Sequence, residues 1–144
     1  MAEAAAEAAR AEAETRLLPA EAAMPNDLLP ADGYIFCCPE NLAAMSGAMK
    51  EFFDRCYYPL LGRIEGRAYA QMVCAGSDGE NACRQIARIA TGWRLKEVQP
   101  PIIVGTNAQT AEAILAPKTI AGADLDRCRE LGQALAAGLS LGVF

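Results

Sequence analysis

The sequence contains no histidine, and none of its cysteines has the C-x-x-C spacing of a metal site. Zinc sites usually combine paired cysteines or cysteine with histidine, and Ser-His-Asp hydrolases need an imidazole as their base. We therefore predict neither metal ligands nor a catalytic side chain. A free cysteine is among the most buried residue types, so all six are predicted to be structural: Cys37, Cys38, Cys56, Cys74, Cys83 and Cys128.

Basic residues and long apolar runs are also scarce. Lys and Arg number 13 against 18 Asp and Glu, which leaves a net charge of −5. Nucleic-acid binding depends on clustered Lys and Arg, so a nucleic-acid partner is not expected. No apolar run approaches the ~20 residues that cross a bilayer, and the alternating Ala and Glu at the N-terminus do not resemble a signal peptide. We predict a cytoplasmic protein without a membrane span.

The chain of 144 residues, 53% of them hydrophobic, has the size and composition of one globular domain covering residues 1–144. Residues 2–13 are almost all strong helix formers and predict a helix. Residues 15–19 predict one short strand, and residues 25–30, bounded by two prolines, predict a linker.

From residue 33 onward, apolar strand patterns alternate with helical patterns. The predicted strands are residues 33–38, 68–75 and 101–104, and the predicted helices are residues 43–58 (ended by Pro59), 81–93 and 124–139. The apolar side chains at three- and four-residue spacing in the first helix are assigned to the core: Met45, Met49, Phe52, Phe53 and Cys56. Alternation of this kind predicts a three-layer α/β sandwich, with a parallel sheet between helices.

Ligands of open α/β sheets bind beyond the carboxyl ends of the strands. Two loops lie at such positions, residues 39–47 after the first buried strand and residues 75–81 after the second. The acids of the second loop also suit a helix cap and first turn, and Asn41 also suits a plain turn.

The segment ADGYIFCCPENLAAMSGAMKEFFDR, residues 31–55, resembles the segment that follows the third strand in flavodoxin-like NAD(P)H-dependent FMN reductases. The resemblance covers most of the chain from Ala31 onward and implies a flavodoxin-like fold. It implies that backbone groups of both loops hold the flavin ring, where small residues permit close approach. The implied FMN-binding residues are Pro39, Glu40, Asn41, Leu42 and Ala43 against the ring, Met45, Ser46 and Gly47 opening the next helix, and Ala75, Gly76, Ser77, Asp78 and Gly79 as the opposite wall.

The resemblance has one departure. The family begins with a central strand and a Ser/Thr-rich loop that wraps the FMN phosphate, whereas this chain begins inside the following helix. We therefore expect an N-terminally truncated flavodoxin-like domain that lacks the first strand, in which the strand near Thr15 has lost its neighbour.

The resemblance implies an FMN-dependent oxidoreductase that takes a hydride from NAD(P)H and reduces a quinone, a flavin or a similar small-molecule acceptor. It also implies a homo-oligomer. Two alternatives stay open: a flavodoxin-type electron-transfer protein, and a flavin-free remnant that acts through protein contacts.

Overall fold

A computed structural model describes all 144 residues, which form six helices and five strands. The helices are α1 (Ala2–Ala9), α2 (Pro25–Leu28), α3 (Gly47–Leu60), α4 (Glu80–Gly92), α5 (Ala111–Leu115) and α6 (Gly122–Ser140). The strands are β1 (Gly33–Asn41), β2 (Ala44–Met45), β3 (Ala68–Ala75), β4 (Lys96–Glu97) and β5 (Ile102–Gly105).

The central strand of the sheet is β3. It pairs in parallel with β1 on one side, from Gly33↔Ala68 to Pro39↔Cys74. On its other side it pairs in parallel with β4 and then with β5. Parallel strands covered on both faces read as continuous apolar runs, and β3 is buried at every position except Cys74, which is half-buried.

Two short strands share the second side of β3: β4 pairs with its start and β5 with its end. Val98 still donates its N–H to the Tyr69 carbonyl at 3.1 Å, but Pro100 and Pro101 follow. Proline has no N–H for the ladder, so pairing stops there and resumes at Ile102.

Two separate cores confirm the three-layer arrangement. The larger one packs α3 and α4 against one face of the sheet and is rich in aromatic rings, with Phe36 and Phe53 at 5.2 Å between centroids and Trp93 at 5.5 Å from Phe53. The smaller one packs α1 and α6 against the opposite face through alanine and aliphatic side chains. Four of the five side chains assigned to the α3 core are buried there, and Met45 reaches the same core from β2.

The segment before β1 is held by one arginine. Nη1 of Arg67 lies 2.7–3.1 Å from three backbone carbonyls and at 2.9 Å from the Tyr34 hydroxyl. Those carbonyls belong to Leu28, Leu29 and Ala31. A guanidinium has several donors and serves such a cluster well, so the turn into β1 is anchored to the start of β3.

Four predictions from the sequence were wrong in part. Helix α1 ends at Ala9 rather than residue 13, because the chain tightens into a turn in which Glu12 N–H donates to the Ala9 carbonyl. Residues 15–19 form no strand, since no neighbouring strand offers hydrogen bonds. The expected linker at residues 25–30 contains α2, which begins with proline at its first position, a favoured site.

The fourth error concerns the start of α3. Residues 43–46 are not helical: Ala44 and Met45 turn back and pair with β1, and Ser46 caps the helix, which starts at Gly47. Pro59 lies inside the last turn of α3 rather than beyond it. Strands β2 and β4 and helix α5 have too few residues for a periodic pattern and were not predicted.

The first predicted strand starts where β1 does but ends three residues early, at residue 38 rather than Asn41, and the other remaining elements agree with prediction to within two residues at each end. None of the six helices has the length and apolar character that spanning a bilayer requires.

Replacing Gly132 with alanine tests the contact between α1 and α6. A Cβ at Gly132 would lie 2.2 Å from the Ala5 carbonyl oxygen, so the helices must separate. Overpacking of this kind costs about 1–3 kcal/mol, which outweighs the better helix propensity of alanine. Urea unfolding should show this loss for Gly132→Ala. Gly122→Ala is the matched control in the same helix, because a Cβ there meets nothing within 4 Å; equal effects of the two changes would contradict the packing.

Candidate functional site

Three loops meet at one edge of the sheet, because β1, β3 and β5 run in parallel and end together. The register places Pro39 beside Cys74 and Ala75 beside Gly105. The loops that follow are residues 41–44, 76–79 and 106–110. This carboxyl edge is where open α/β sheets bind ligands.

The first loop is a tight hairpin between β1 and β2. Leu42 and Ala43 sit between the paired residues Asn41 and Ala44, with φ values of 52° and 59°. Positive φ at both central positions matches a type I′ turn, a conformation that costs roughly 1–2 kcal/mol for each residue with a side chain. The Leu42 side chain is fully exposed. The hairpin therefore holds an apolar side chain in solvent at the rim of the site.

The second loop, residues 76–79, is held against the first by a hydrogen bond. Gly79 is buried with φ 93°, and a Cβ there would lie 2.7 Å from Cγ2 of Ile103. Its N–H donates to Oε1 of Glu40 at 3.0 Å. Glu40 thus connects the end of β1 to the start of α4.

Two side chains of α4 strengthen that connection. Nδ2 of Asn81 donates to the Ala43 carbonyl, and Oε1 of Gln85 accepts from the Met45 N–H at 2.9 Å. Asn81 and Gln85 lie four residues apart and share one face of α4. From the sequence, Asn81 was included only as the last residue of the second loop and Gln85 was not identified, although two amides at this spacing just inside a helix after a site loop are a usable signal.

The third loop was also missed from the sequence. The backbone N–H and the hydroxyl of Thr106 both reach the Ala75 carbonyl, at 2.8 and 3.2 Å. The Ala108 carbonyl lies so close to Gly76 that a Cβ would be 3.3 Å away. The backbone of all three loops therefore borders the site. The second and third loops approach each other closely at Gly76, where a residue without a Cβ fits best.

The predicted site residues divide into exposed and buried groups. The exposed group lies at the rim of the loops and consists of Pro39, Asn41, Leu42, Ala43, Gly47, Ser77 and Asp78. Glu40 and Gly76 are half-buried, and the buried group consists of Ala75, Gly79, Met45 and Ser46.

Two predicted site residues have local structural roles. The Ser46 hydroxyl accepts from the Met49 N–H at 3.3 Å and caps α3. Oδ1 of Asp78 accepts from the Glu80 N–H at 3.3 Å just ahead of α4, but the N-cap residue of that helix is Gly79 and no side chain caps it, so the capping role suggested for Asp78 was wrong.

The cysteines around the site are weakly acidic. Burial raises the pKa of the Cys37 thiol to about 12 and that of Cys83 to about 11. Burial also raises the pKa of Cys38 and of Cys74. The thiolate is the nucleophile and metal ligand, so at neutral pH these side chains act as apolar packing groups. No cluster of His, Cys, Asp or Glu in the structure has the geometry of a metal site.

The donor set fits a flat, mostly apolar ring with polar edges better than a metal or a charged substrate. It consists of exposed backbone at three loops, one exposed leucine and no cationic side chain among the predicted residues. Pockets for such ligands are mainly apolar, with a few fixed polar groups.

Comparison with known proteins gives consistent matches. Residues 22–110 match the family model described as NADPH-dependent FMN reductase, and this range includes all three loops. A flavodoxin from Aquifex aeolicus is 30% identical over 147 aligned positions, which cover 98% of this chain and 80% of that protein.

Solved structures show the same architecture. A flavodoxin from the domain Archaea superposes with a TM-score of 0.74 at 17% identity, covering 96% of this chain and 87% of that one. A flavodoxin, WrbA-like protein from Agrobacterium tumefaciens also gives 0.74, at 18% identity, covering 97% and 87%. These matches confirm the flavodoxin-like fold predicted from the sequence.

Replacing Gln85 with alanine tests the bridge between α4 and the hairpin. The Met45 N–H would lose its acceptor in a buried position, which costs about 1–3 kcal/mol. Native-state hydrogen exchange should show faster exchange of the Met45 amide. Arg88→Ala, at an exposed position of the same helix with no hydrogen bond, should leave that amide unchanged. An unaltered Met45 amide in the Gln85 variant would contradict the bridge.

The raised thiol pKa values predict a loss of stability in alkali. The ordinary cysteine value of 9.0 applies to the unfolded chain, while Cys37 and Cys83 ionise natively near 12 and 11. The unfolded state therefore loses its protons first, and the stability present below about pH 9 declines as the pH rises toward 11. Urea unfolding across this range measures the slope, and Cys83→Ala should make it shallower. An unfolding free energy that stays constant to about pH 10 would exclude the effect.

Proposed function

Because this chain belongs to the NADPH-dependent FMN reductase family, whose members are flavin-binding oxidoreductases, we propose that it binds FMN across the three loops at the carboxyl edge of its sheet. We propose further that NAD(P)H is its electron donor and that a quinone, a flavin or a similar small molecule is its acceptor.

The observation that carries the proposal is the hairpin at residues 41–44. This turn has two unfavourable features. Two residues with side chains adopt positive φ, which costs strain energy, and the Leu42 side chain leaves apolar surface in water. Contact with an apolar ring would recover the second of these losses. Leu42 is therefore proposed as one face of the ring site.

The backbone supplies the polar contacts of the proposed site. The segment 75–79 ends at the N-terminus of α4, where free N–H groups favour electron-rich atoms. Gly76 offers its backbone without a Cβ in the way, and Glu40 fixes Gly79 from the other loop. These bonds hold the loops in position before a ligand arrives, which lowers the entropy lost on binding.

FMN, when bound, accepts and donates the hydride, so the protein has to supply orientation and electrostatics rather than an acid–base pair. This division of roles fits a site without histidine and with thiols held protonated. The exposed rim formed by Leu42, Ala43 and Ser77 leaves one side of the site open to a nicotinamide or an acceptor.

A second candidate function is flavodoxin-type electron transfer without a substrate reaction of its own. The 30% identity to the Aquifex aeolicus flavodoxin over almost the whole chain favours it. Both candidates require FMN, and only the reductase oxidises NAD(P)H.

The deciding experiment is titration of the purified chain with FMN, followed by flavin fluorescence and by the absorbance of the desalted protein. Retained flavin together with NADPH or NADH oxidation in the presence of a quinone supports the reductase. Retained flavin without that oxidation supports electron transfer. No retained flavin at any FMN concentration contradicts both and favours the flavin-free alternative.

Leu42→Ala tests the ring contact without disturbing the fold. The side chain is fully exposed, so the free energy of unfolding should change by less than about 0.5 kcal/mol. Lost apolar contact should weaken FMN binding roughly three- to tenfold. Leu141→Ala removes another largely exposed leucine, remote from the three loops, and should leave FMN affinity unchanged. Equal affinities of the two variants would remove Leu42 from the site.

A further inference from the structure

Two arginines on the outer face of α4 have no acidic partner. Most cationic side chains of the chain form ion pairs or bind backbone carbonyls. Arg10 and Lys96 do neither, but each of them is isolated on its own element. Arg84 donates to an amide oxygen of α4 at 2.7 Å, and Arg88 forms no hydrogen bond. Glu80, the acid of α4, pairs with neither arginine, so both are exposed cations without a counter-charge.

The two arginines lie one helical turn apart, at positions 84 and 88. Like charges at this spacing repel each other on a helix surface, and an anion bound between them would remove the repulsion. Each guanidinium can donate two parallel hydrogen bonds to the oxygens of a phosphate. The pair is therefore suited to a ligand that carries phosphate groups.

Arg88 shares one face of α4 with the two side chains that hold the hairpin of the proposed flavin site. Positions 81, 85, 88 and 92 have the spacing of a single helical stripe. At its start, Asn81 and Gln85 bind the backbone of Ala43 and Met45. The stripe leads from the rim of the three loops to the far end of α4 over about 16 Å, because a helix rises about 1.5 Å per residue. An extended dinucleotide is long enough to follow it.

Aromatic rings lie at the far end of this stripe. The Tyr57 hydroxyl occupies the space that a Cβ at Gly92 would fill. The Tyr57 ring stacks on Trp93 at 5.8 Å between centroids, with the ring planes 17° apart. Tyr58 packs edge-on against Tyr57 at 5.4 Å and is 80% exposed. An exposed ring held in place by a second ring is a platform on which a nucleotide base can stack.

We propose that this surface of α3 and α4 binds the adenylate half of the nicotinamide dinucleotide donor, with Arg84 and Arg88 on the pyrophosphate and Tyr58 on the adenine. The inference rests on the proposed function, because its ligand is the donor of that reaction. The nicotinamide end then lies at the open rim formed by Leu42 and Ala43. The arginines bind the donor and take no part in hydride transfer.

The first test measures binding of ADP to the full chain by isothermal titration calorimetry, without FMN. ADP carries the pyrophosphate and adenine of the donor and lacks the nicotinamide. The proposal expects saturable binding that weakens as salt is added. Arg84→Gln and Arg88→Gln should each weaken ADP binding roughly three- to tenfold. Lys96→Gln removes an exposed, unpaired cation of β4 and should leave the ADP affinity unchanged.

The contact with the base is tested separately. Tyr58→Ala should weaken ADP binding roughly three- to tenfold, and Tyr58→Phe, which keeps the ring, should retain it. The side chain is largely exposed, so both variants should fold normally. Inorganic pyrophosphate has no base, so it should bind the unaltered chain more weakly than ADP does and should not distinguish the two Tyr58 variants.

Steady-state kinetics with FMN bound separate donor binding from the flavin site. Arg88→Gln should raise the KM for NADPH roughly three- to tenfold. The same variant should oxidise N-benzyl-dihydronicotinamide, a hydride donor without phosphate, at the rate of the unaltered chain. Its FMN affinity should also be unchanged.

Absence of ADP binding, equal binding of ADP and pyrophosphate, or equal effects of Arg88→Gln and Lys96→Gln would overturn the proposal. A lower FMN affinity of Arg88→Gln would overturn it too, because the arginine would then hold the flavin. Failure of the proposed function is distinguishable: a chain that never retains FMN contradicts the reductase, whereas ADP binding is measured without FMN. Retained FMN and NADPH oxidation without ADP binding would reject this donor site alone.

Discussion

The parallel ladder between β1 and β3 is the interaction on which the rest of the structure depends. Its seven residue pairs, from Gly33↔Ala68 to Pro39↔Cys74, bring together two segments more than thirty residues apart in the chain. The same ladder separates the two cores, because alternate side chains of each strand point to opposite layers. It also ends both strands at one edge, so the loops that follow them become neighbours.

Hydrogen bonds from side chains then fix the distance between those loops. Glu40, Asn81 and Gln85 each bind backbone on the opposing segment, and together they hold a hairpin whose turn residues are strained. Strain of about 1–3 kcal/mol per residue persists only where the surroundings enforce the conformation. The hairpin conformation is therefore enforced by these contacts between the loops, and it leaves the Leu42 side chain fully exposed.

The two edges of the sheet have different chemistry. The carboxyl edge offers backbone and an apolar side chain, fixed by hydrogen bonds between loops. Along Gly33–Pro39 the outer edge of β1 borders a cleft lined mainly by apolar side chains. At the start of β1, Arg67 holds the preceding turn through hydrogen bonds to three of its backbone carbonyls.

The sequence by itself determined the layers, the buried strands β1, β3 and β5, and the long helices, because apolar periodicity reports which faces are covered. It also located the first two loops, since strand ends can be read along the chain. The tertiary structure alone decided the β2 hairpin, the absence of a strand at residues 15–19, and the contacts of Gln85 and Thr106. The physical reason is that a short strand exists only where a neighbour accepts its hydrogen bonds. A side chain joins a site only where distant segments of the chain meet. Local sequence predicts neither the neighbouring strand nor the meeting of distant segments.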